Sequence, residues 1–260
     1  MTNALQTIFR SKPIRVAYSD IHCHVLPGLD DGPKTDSAAV DLVRKAQSCG
    51  ARRIVATPHF LPGVFEPSPE DIHSRVTTLN GQLASQGICV EILPGCEAYL
   101  SERLCSDVRD GRILPLGHGS HVLVELPAMM LPQGFAEELF ALRTMGAGVV
   151  LAHPERSMEL RRNRELVRQF VEMGILLQVN AGSIVGVHGK EAASFASRLL
   201  EEEMAHFVAS DAHSGSSADL RAGGPDIRPA LRKAFRSDSL AKRFLKQAEE
   251  RFEEIVMGRV

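Results

Sequence analysis

His22 and His24 stand on either side of Cys23, and Asp211 and His213 on either side of Ala212, so one spacing recurs near both ends of the chain. Two residues apart on a strand means one face, and each pair can therefore offer its side chains to a single cation. Five further residues of ligand type stand at or just beyond apolar runs. These are Asp31 after Gly28-Leu29-Asp30, His59 after Ala56-Thr57-Pro58, Glu97 after Pro94-Gly95-Cys96, Glu125 in Val122-Leu123-Val124-Glu125, and His153 before Pro154. Taken singly, each reads better as a polar residue at a strand end. Together they put an ionisable group at nearly every strand terminus, which packing alone does not explain.

Five imidazoles and four carboxylates without a committed thiolate suit manganese, iron or zinc, and speak against calcium, which takes oxygen ligands. Nine ligands exceed what one cation with an open position needs, so two or three ions are expected, with a carboxylate such as Glu97 bridging. Three divalent ions would set six positive charges against the four negative ones of Asp31, Glu97, Glu125 and Asp211. The cationic remainder would attract a phosphate dianion, and bound water would ionise near pH 7 or so. Arg156, directly after His153-Pro154-Glu155, and Arg221, in the loop beyond His213, are placed to meet phosphate oxygens bidentately. A surface or ion-paired arginine is the competing reading for both.

Cysteine-based phosphate chemistry is disfavoured, since it needs a thiolate with an arginine six positions later. Cys23, Cys49, Cys89, Cys96 and Cys105 are followed at that spacing by Leu29, Val55, Gly95, Glu102 and Gly111. All five read as small hydrophobes. Arg161, Arg162, Arg164 and Arg168 read as a solvated helix face, with an acidic partner as the minor alternative. His73, His118, His121, His188 and His206 lack a partner pattern and read as structural.

These residues need elements that bring them together. Short β-branched, apolar runs alternate with stretches of helical period, the pattern of βα units and a parallel sheet. Seven strands are expected: Val16 to His22, Arg53 to Thr57, Cys89 to Leu93, His121 to Glu125, Gly148 to Ala152, Leu176 to Val179 and His206 to Ala209. Helices are expected over Asp36 to Ser48, Pro69 to Ser85, Gly134 to Met145, Arg161 to Met173 and Lys190 to Glu202. Gly50, Gly87, Gly146 and Gly174 stand where left-handed caps are wanted. The loops after the strands are longer and rich in Pro, Gly, His and Asp, as at the C-terminal face of a parallel barrel. In a closed barrel the first and last strands are neighbours, which would bring His22 and His24 against Asp211 and His213.

The 260 residues, 44% apolar, can bury one barrel-sized core, and a net charge of -2 leaves no basic surface for nucleic acid. No apolar run is long enough for a membrane span, Met1 to Tyr18 lacks a signal-peptide core, and the cysteines form no C-x-x-C pair, so a cytoplasmic protein is expected. The domain reading is an N-terminal extension over 1–17 and one domain over 18–260. Its last stretch, Leu240 to Val260, is expected to be an amphipathic helix packed on the barrel.

Quoted together, His22-Cys23-His24, Asp30-Asp31-Gly32-Pro33, Thr57-Pro58-His59, Gly95-Cys96-Glu97, Glu125-Leu126-Pro127, His153-Pro154-Glu155-Arg156 and Ser210-Asp211-Ala212-His213 resemble the polymerase and histidinol phosphatase (PHP) superfamily. Within it they are most similar to the bacterial tyrosine-protein phosphatases of capsule and exopolysaccharide operons, the CpsB/YwqE type. The resemblance runs from about Tyr18 to Pro225. It implies a distorted (β/α)7 TIM-like barrel with a trinuclear centre, usually of manganese (Mn2+). Carried over, His22, His24, Glu97 and Asp211 would hold one ion, Glu97, Glu125 and His153 a second, and Asp31, His59 and His213 a third. Arg156 and Arg221 would bind phosphate. The implied activity is hydrolysis of phosphotyrosine by a metal-bridged hydroxide, and the implied partner is the C-terminal tail of a bacterial tyrosine kinase controlling polysaccharide export. Relatives often carry a basic pair where this chain has Phe60-Leu61, so a more apolar mouth is expected.

The main alternative is a small-molecule phosphatase of the same superfamily, acting on histidinol phosphate or nucleotide monophosphates. A metal-stabilised scaffold that binds a kinase without turnover, and a nuclease, are the others.

Overall fold

Most strand candidates are apolar at consecutive positions rather than alternately, which suits a sheet covered on both faces. In the computed structural model, described over residues 17–215 and 224–259, these runs form parallel strands. They are β1 (Tyr18–Cys23), β2 (Ala51–Ala56), β3 (His59–Phe60), β4 (Glu91–Leu93), β5 (Glu97–Tyr99), β6 (His121–Glu125), β7 (Gly148–Ala152), β8 (Leu176–Asn180) and β9 (Phe207–Ala209). The helices are α1 (Asp36–Cys49), α2 (Pro69–Ser85), α3 (Leu104–Arg109), α4 (Phe135–Thr144), α5 (Met158–Arg162), α6 (Arg164–Glu172), α7 (Ala181–Val185), α8 (Lys190–Glu201), α9 (Arg228–Ala234) and α10 (Asp238–Ile255). The expected extension over 1–17 lies outside the described residues, apart from Ala17.

The seven expected strands are all present, and two acquire a second piece. The strands order as β1-β2-β4 and as β3-β5-β6-β7-β8-β9. Thr57-Pro58 interrupts the second strand between β2 and β3, and Pro94-Gly95-Cys96 interrupts the third between β4 and β5, because proline has no N–H for the ladder. Bonds from Thr57 N to the Cys23 carbonyl (2.9 Å) and from Glu97 N to the Pro58 carbonyl (3.0 Å) carry the pairing across these breaks. The circle closes where Cys23 pairs with Ala212, and His24 N donates to the Ala212 carbonyl at 3.0 Å. The result is the distorted seven-stranded barrel expected from the sequence.

Gly50, Gly87, Gly146 and Gly174 all take positive φ (107°, 67°, 85° and 76°), as the cap reading required. The single helix expected over Arg161 to Met173 is corrected to two, α5 and α6. The Asn163 side chain accepts the Leu166 N–H at 3.1 Å and starts a new helix there.

Inside the barrel, every second strand residue points inward. Ile21, Val55, Leu93, Leu123, Val150 and Phe207 form one apolar layer, while Ile54, Ile92, Val122, Val124, Val149 and Val208 belong to the outer core beneath the helices. The C-terminal helix, expected to pack on the barrel, also closes it. Phe252, Ile255 and Val256 join the inner layer, and Arg53, across the Phe252 ring, pairs with Glu249 and with Glu253 (2.6 Å). With that end filled, the opposite end, at the strand C-termini, is left for chemistry.

Candidate metal centre

At the C-terminal end the inward positions change from apolar to polar. In β1 the change depends on an extra residue: Asp20 pairs with Ile54 but Cys23 pairs with Ala56, three steps against two. Such a bulge lets Ile21 and His22 both face inward, after which Cys23 turns to the outer core and His24 returns inward. His22 Nε2 and His24 Nε2 thereby come within 3.2 Å of each other. In β8 the inward residues are Gln178 and Asn180, in β6 Glu125, and just beyond β7 and β9 come His153 and Asp211. His153 and Asp211 hold φ of 31° and 51°, a region non-glycine residues avoid, as is common where function fixes the backbone.

Four ligand-type atoms crowd one point. From Glu97 Oε2 it is 3.3 Å to His22 Nε2 and 3.3 Å to His24 Nε2, and from Asp211 Oδ1 it is 3.4 Å and 3.3 Å to the same two atoms. Ligands at about 2.1 Å from a tetrahedral cation are separated by roughly 3.4 Å, so these spacings are those of a coordination shell. Glu97 also reaches His153 Nε2 with Oε1 (2.8 Å) and His59 Nδ1 with Oε2 (3.0 Å), while Glu125 approaches both imidazoles at 3.9 Å. On the other side Asp31 Oδ1 lies 3.1 Å from His213 Nε2 and 3.7 Å from His59 Nε2. All nine residues expected as ligands thus converge. They form four overlapping groups, His22-His24-Asp211, His22-Glu97-His153, His59-Glu97-Glu125 and His24-Asp31-His59-His213, each with its ligand atoms within 4.8 Å.

Whether the pocket suits a cation can be tested on Glu97. Its Oε2 is fully buried and accepts no hydrogen bond although three imidazole nitrogens stand at 3.0–3.3 Å. A buried carboxylate oxygen ordinarily has a donor, and a divalent ion would satisfy it. The protonation pattern agrees. Burial would raise the Glu97 carboxyl, but His22, His153 and His24 overcome it and hold it well below the usual carboxylate range. Burial would lower His22, but the charges of Glu97 and Asp211 push it up to about 9. Burial, then the charge of Glu97, raises Glu125 to about 7. Burial, then the charge of Arg156, lowers His153 to about 4, leaving a neutral imidazole with a lone pair to give.

A second ring of residues orients these side chains, and sequence reasoning missed most of it. His24 Nδ1 donates to Asp30 Oδ2 at 2.6 Å, and the same carboxylate accepts Gly32 N (2.8 Å) and His59 N (3.0 Å). Gly32 is needed there because a Cβ would stand 2.5 Å from the His24 carbonyl oxygen. His22 Nδ1 donates to Gln178 Oε1 (2.9 Å), and Asn180 Nδ2 donates to Asp211 Oδ2 (2.6 Å). Glu155 Oε1 in turn accepts Asn180 N at 2.8 Å. The visible signal was two polar side chains at alternate positions of an otherwise apolar strand, Leu176-Leu177-Gln178-Val179-Asn180. Fixing one nitrogen of a ligand histidine aims the other, as metal sites do.

A cavity of about 370 Å3 opens above this cluster, lined by Asp31, His59, Glu125, Asp211 and His213 together with Leu61, Phe65, Tyr99, Arg156 and His188. Arg156, expected to meet phosphate, is there, donating to Asp211 Oδ2 at 3.2 Å. Arg221 lies outside the described residues. His188, read as structural from the sequence, is corrected to a cavity-lining residue. Of the Phe60-Leu61 pair only Leu61 reaches the mouth, bridged to Phe65, while Phe60 is buried with Arg112 over its ring. His121 fits its structural reading, its ring filling the space above Gly148.

A seven-stranded parallel barrel with a histidine-carboxylate cluster at its C-terminal mouth defines a metal-dependent hydrolase. Residues 18–251 match the model of the capsular polysaccharide synthesis family CpsB/CapC, and the chain belongs to that family. It is 38% identical over 195 residues to tyrosine-protein phosphatase YwqE of Bacillus subtilis, covering 75% of this chain and 76% of that one. A solved structure from the pair YwqE of Bacillus subtilis and CpsB of Streptococcus pneumoniae, described as unique metal-dependent tyrosine phosphatases, superposes with a TM-score of 0.82 at 31% identity, over 93% of this chain and 95% of that one. Histidinol phosphate phosphatase of Lactococcus lactis, at 14% identity and a TM-score of 0.51 over 90% and 94%, shares the fold. No helix among the described residues is long and apolar enough to cross a membrane.

Proposed function

We propose that this chain is a metal-dependent protein-tyrosine phosphatase. The observation that carries the reading is the Glu97 carboxylate, buried, short of a donor on Oε2, and shared among His22, His24, His59 and His153. His22, His24, Glu97 and Asp211 would hold one cation, Glu97, Glu125 and His153 a second, and Asp31, His59 and His213 a third. Manganese is our choice among the metals this donor set suits. When bound, the cations supply Lewis acidity and lower the pKa of water toward about 7.

The chain's own groups do the rest. Asp30, Gln178 and Asn180 hold the ligand side chains in aim before any metal arrives. Arg156 offers donors to the phosphoryl oxygens as negative charge spreads over them, and it starts from a bond to Asp211 that substrate can replace. Arg221 is proposed for the same role. Leu61, Phe65 and Tyr99 form an apolar wall at the mouth against which a phenyl ring can lie. A tyrosine leaving group has a pKa near 10, so it departs with little proton help, in keeping with an aryl rather than an alkyl ester. The YwqE and CpsB names and the family's link to capsular polysaccharide support a phosphotyrosine protein as substrate. We propose the C-terminal tail of a bacterial tyrosine kinase, in the cytoplasm. The small-molecule alternative has only the shared fold behind it.

The test is phosphate release from phosphotyrosine and phosphoserine peptides and from histidinol phosphate, with manganese and with EDTA, in the wild type and His22→Ala. Metal-dependent release from phosphotyrosine, lost in the variant, is expected. Faster turnover of histidinol phosphate than of the peptides would sink the protein-phosphatase reading.

A further inference from the structure

Beside the mouth, the face made by α5 and α8 carries unbalanced positive charge. Arg161, Arg162, Lys190 and Arg198 line a groove of about 460 Å3, with Phe195 and Met158 supplying its apolar part. Arg161 is engaged: it donates to the carbonyls of Glu155 (2.9 Å) and Arg156 (3.1 Å) and lies 3.5 Å from Glu191, the groove's single acid. Arg162, Lys190 and Arg198 are exposed and form no ion pair with any described residue. Several arginines elsewhere are matched, as in Arg112–Glu66, Arg164–Glu202, Arg168–Glu165 and Arg243–Glu203, so three unpaired cations around one groove with a single acid concentrate positive charge there. Gly189 at the start of α8 provides no side-chain cap, so the first N–H groups of that helix add positive potential in the same place.

The groove lies close to the mouth. Met158 stands two residues from Arg156 and Lys190 two residues from His188, and both Arg156 and His188 line the metal-centre cavity. Two residues span at most about 7 Å of backbone. We propose that this groove docks an acidic segment of the polypeptide whose phosphorylated side chain enters the metal centre. The inference rests on the phosphatase reading above. An extended peptide advances about 3.3 Å per residue, so the acidic side chains belong about two to five positions from the phosphotyrosine. A nucleic acid is the poorer occupant, since a chain of net charge -2 offers no basic track beyond these few cations. Charge attraction of this kind sets partner choice and falls with salt.

The test uses the full manganese-loaded chain and short fluorescent peptides carrying a non-hydrolysable difluorophosphonate analogue of phosphotyrosine, flanked by glutamates or by serines. In fluorescence anisotropy, Arg162→Glu combined with Arg198→Glu is expected to weaken the glutamate peptide about tenfold or more, and to leave the serine peptide within about twofold. Arg162→Lys with Arg198→Lys should retain the preference. Equal binding of the two peptides by the wild type, or unchanged glutamate-peptide affinity in the charge-reversed protein, would overturn the docking proposal. Turnover of a small aryl phosphate by the same preparations reports separately on the phosphatase reading, because it does not use the groove. Its absence from the wild type would remove that reading while the anisotropy comparison still decides the groove.

Discussion

The His213 ring lies flat on the His24 ring, centroids 3.9 Å apart and planes 14° from parallel. The last strand end is thus clamped against the first by the residues proposed to hold metal. His213 Nδ1 donates to the Asp211 carbonyl (2.9 Å) and His24 Nδ1 to Asp30, so both rings are fixed from behind.

Asp30 is therefore a positioning residue whose loss should be felt as metal affinity. Asp30→Ala is expected to weaken manganese binding about 10- to 100-fold, with excess manganese restoring much of the turnover. Calorimetric titration of the metal-free protein would measure this. Unaltered affinity would mean that His24 needs no help from Asp30.

Protons and metal compete at this centre. Without metal, His22 keeps its proton up to about 9 and Glu125 up to about 7, so cations binding at pH 7 must expel protons. Affinity should rise with pH from about 6 to about 9. Burial would lower His24, but Asp211, Asp30 and Glu97 hold it well above its ordinary value too. Buffers of different ionisation enthalpy should therefore reveal the release of about two protons or more per molecule at neutral pH. The metal-free fold slopes the other way on account of His22. The folded pKa of that histidine lies above its ordinary value, so its contribution to stability is full below about 6.5 and lost as pH rises through about 9. Metal affinity independent of pH would contradict the donor set.

Arg156→Ala should lower kcat/KM on aryl phosphates by about 10² to 10³ while metal content stays the same. Arg156→Lys should recover only part, since an ammonium cannot present two parallel donors. Metal analysis beside steady-state kinetics separates these outcomes, and a normal kcat/KM in the alanine variant would exclude contact with phosphate.

Phe252, 1% exposed in the inner layer, closes the end of the barrel away from the centre. Phe252→Ala should cost about 3–5 kcal/mol of stability, read by urea unfolding, with activity per folded molecule preserved. A loss below about 1 kcal/mol would show that α10 only flanks the barrel.

The nine convergent residues were legible because ligand chemistry and period-2 spacing are both properties of sequence. The seven strands were legible because a covered parallel sheet requires continuous apolar runs. What escaped depends on geometry that spacing does not encode. The bulge that turns His22 inward is one residue of slippage against β2, and nothing in Asp20-Ile21-His22 announces it. Gln178 and Asn180 carry no charge, so they did not register beside the ionisable set, although their alternation was in view. Asn163 looked like an interior helix residue because its capping role depends on a turn that the apolar period continues through. His188 enters the cavity only because α7 ends at Gly186, with φ of 104°, and turns the chain back over the mouth.

The closure of β1 against the segment after β9, with α10 beneath, also bears on how the protein is made. A nascent chain that has emerged through β8 already carries His22, His24, Asp31, His59, Glu97, Glu125 and His153, but lacks Asp211, His213 and the barrel floor. The proposed centre therefore matures only after β9 and the segment that completes it, and α10 that seals the barrel, have been made. Fragments that stop before β9 would hold most of the ligands and none of the enclosure, so hydrolytic power requires the segments that follow β8.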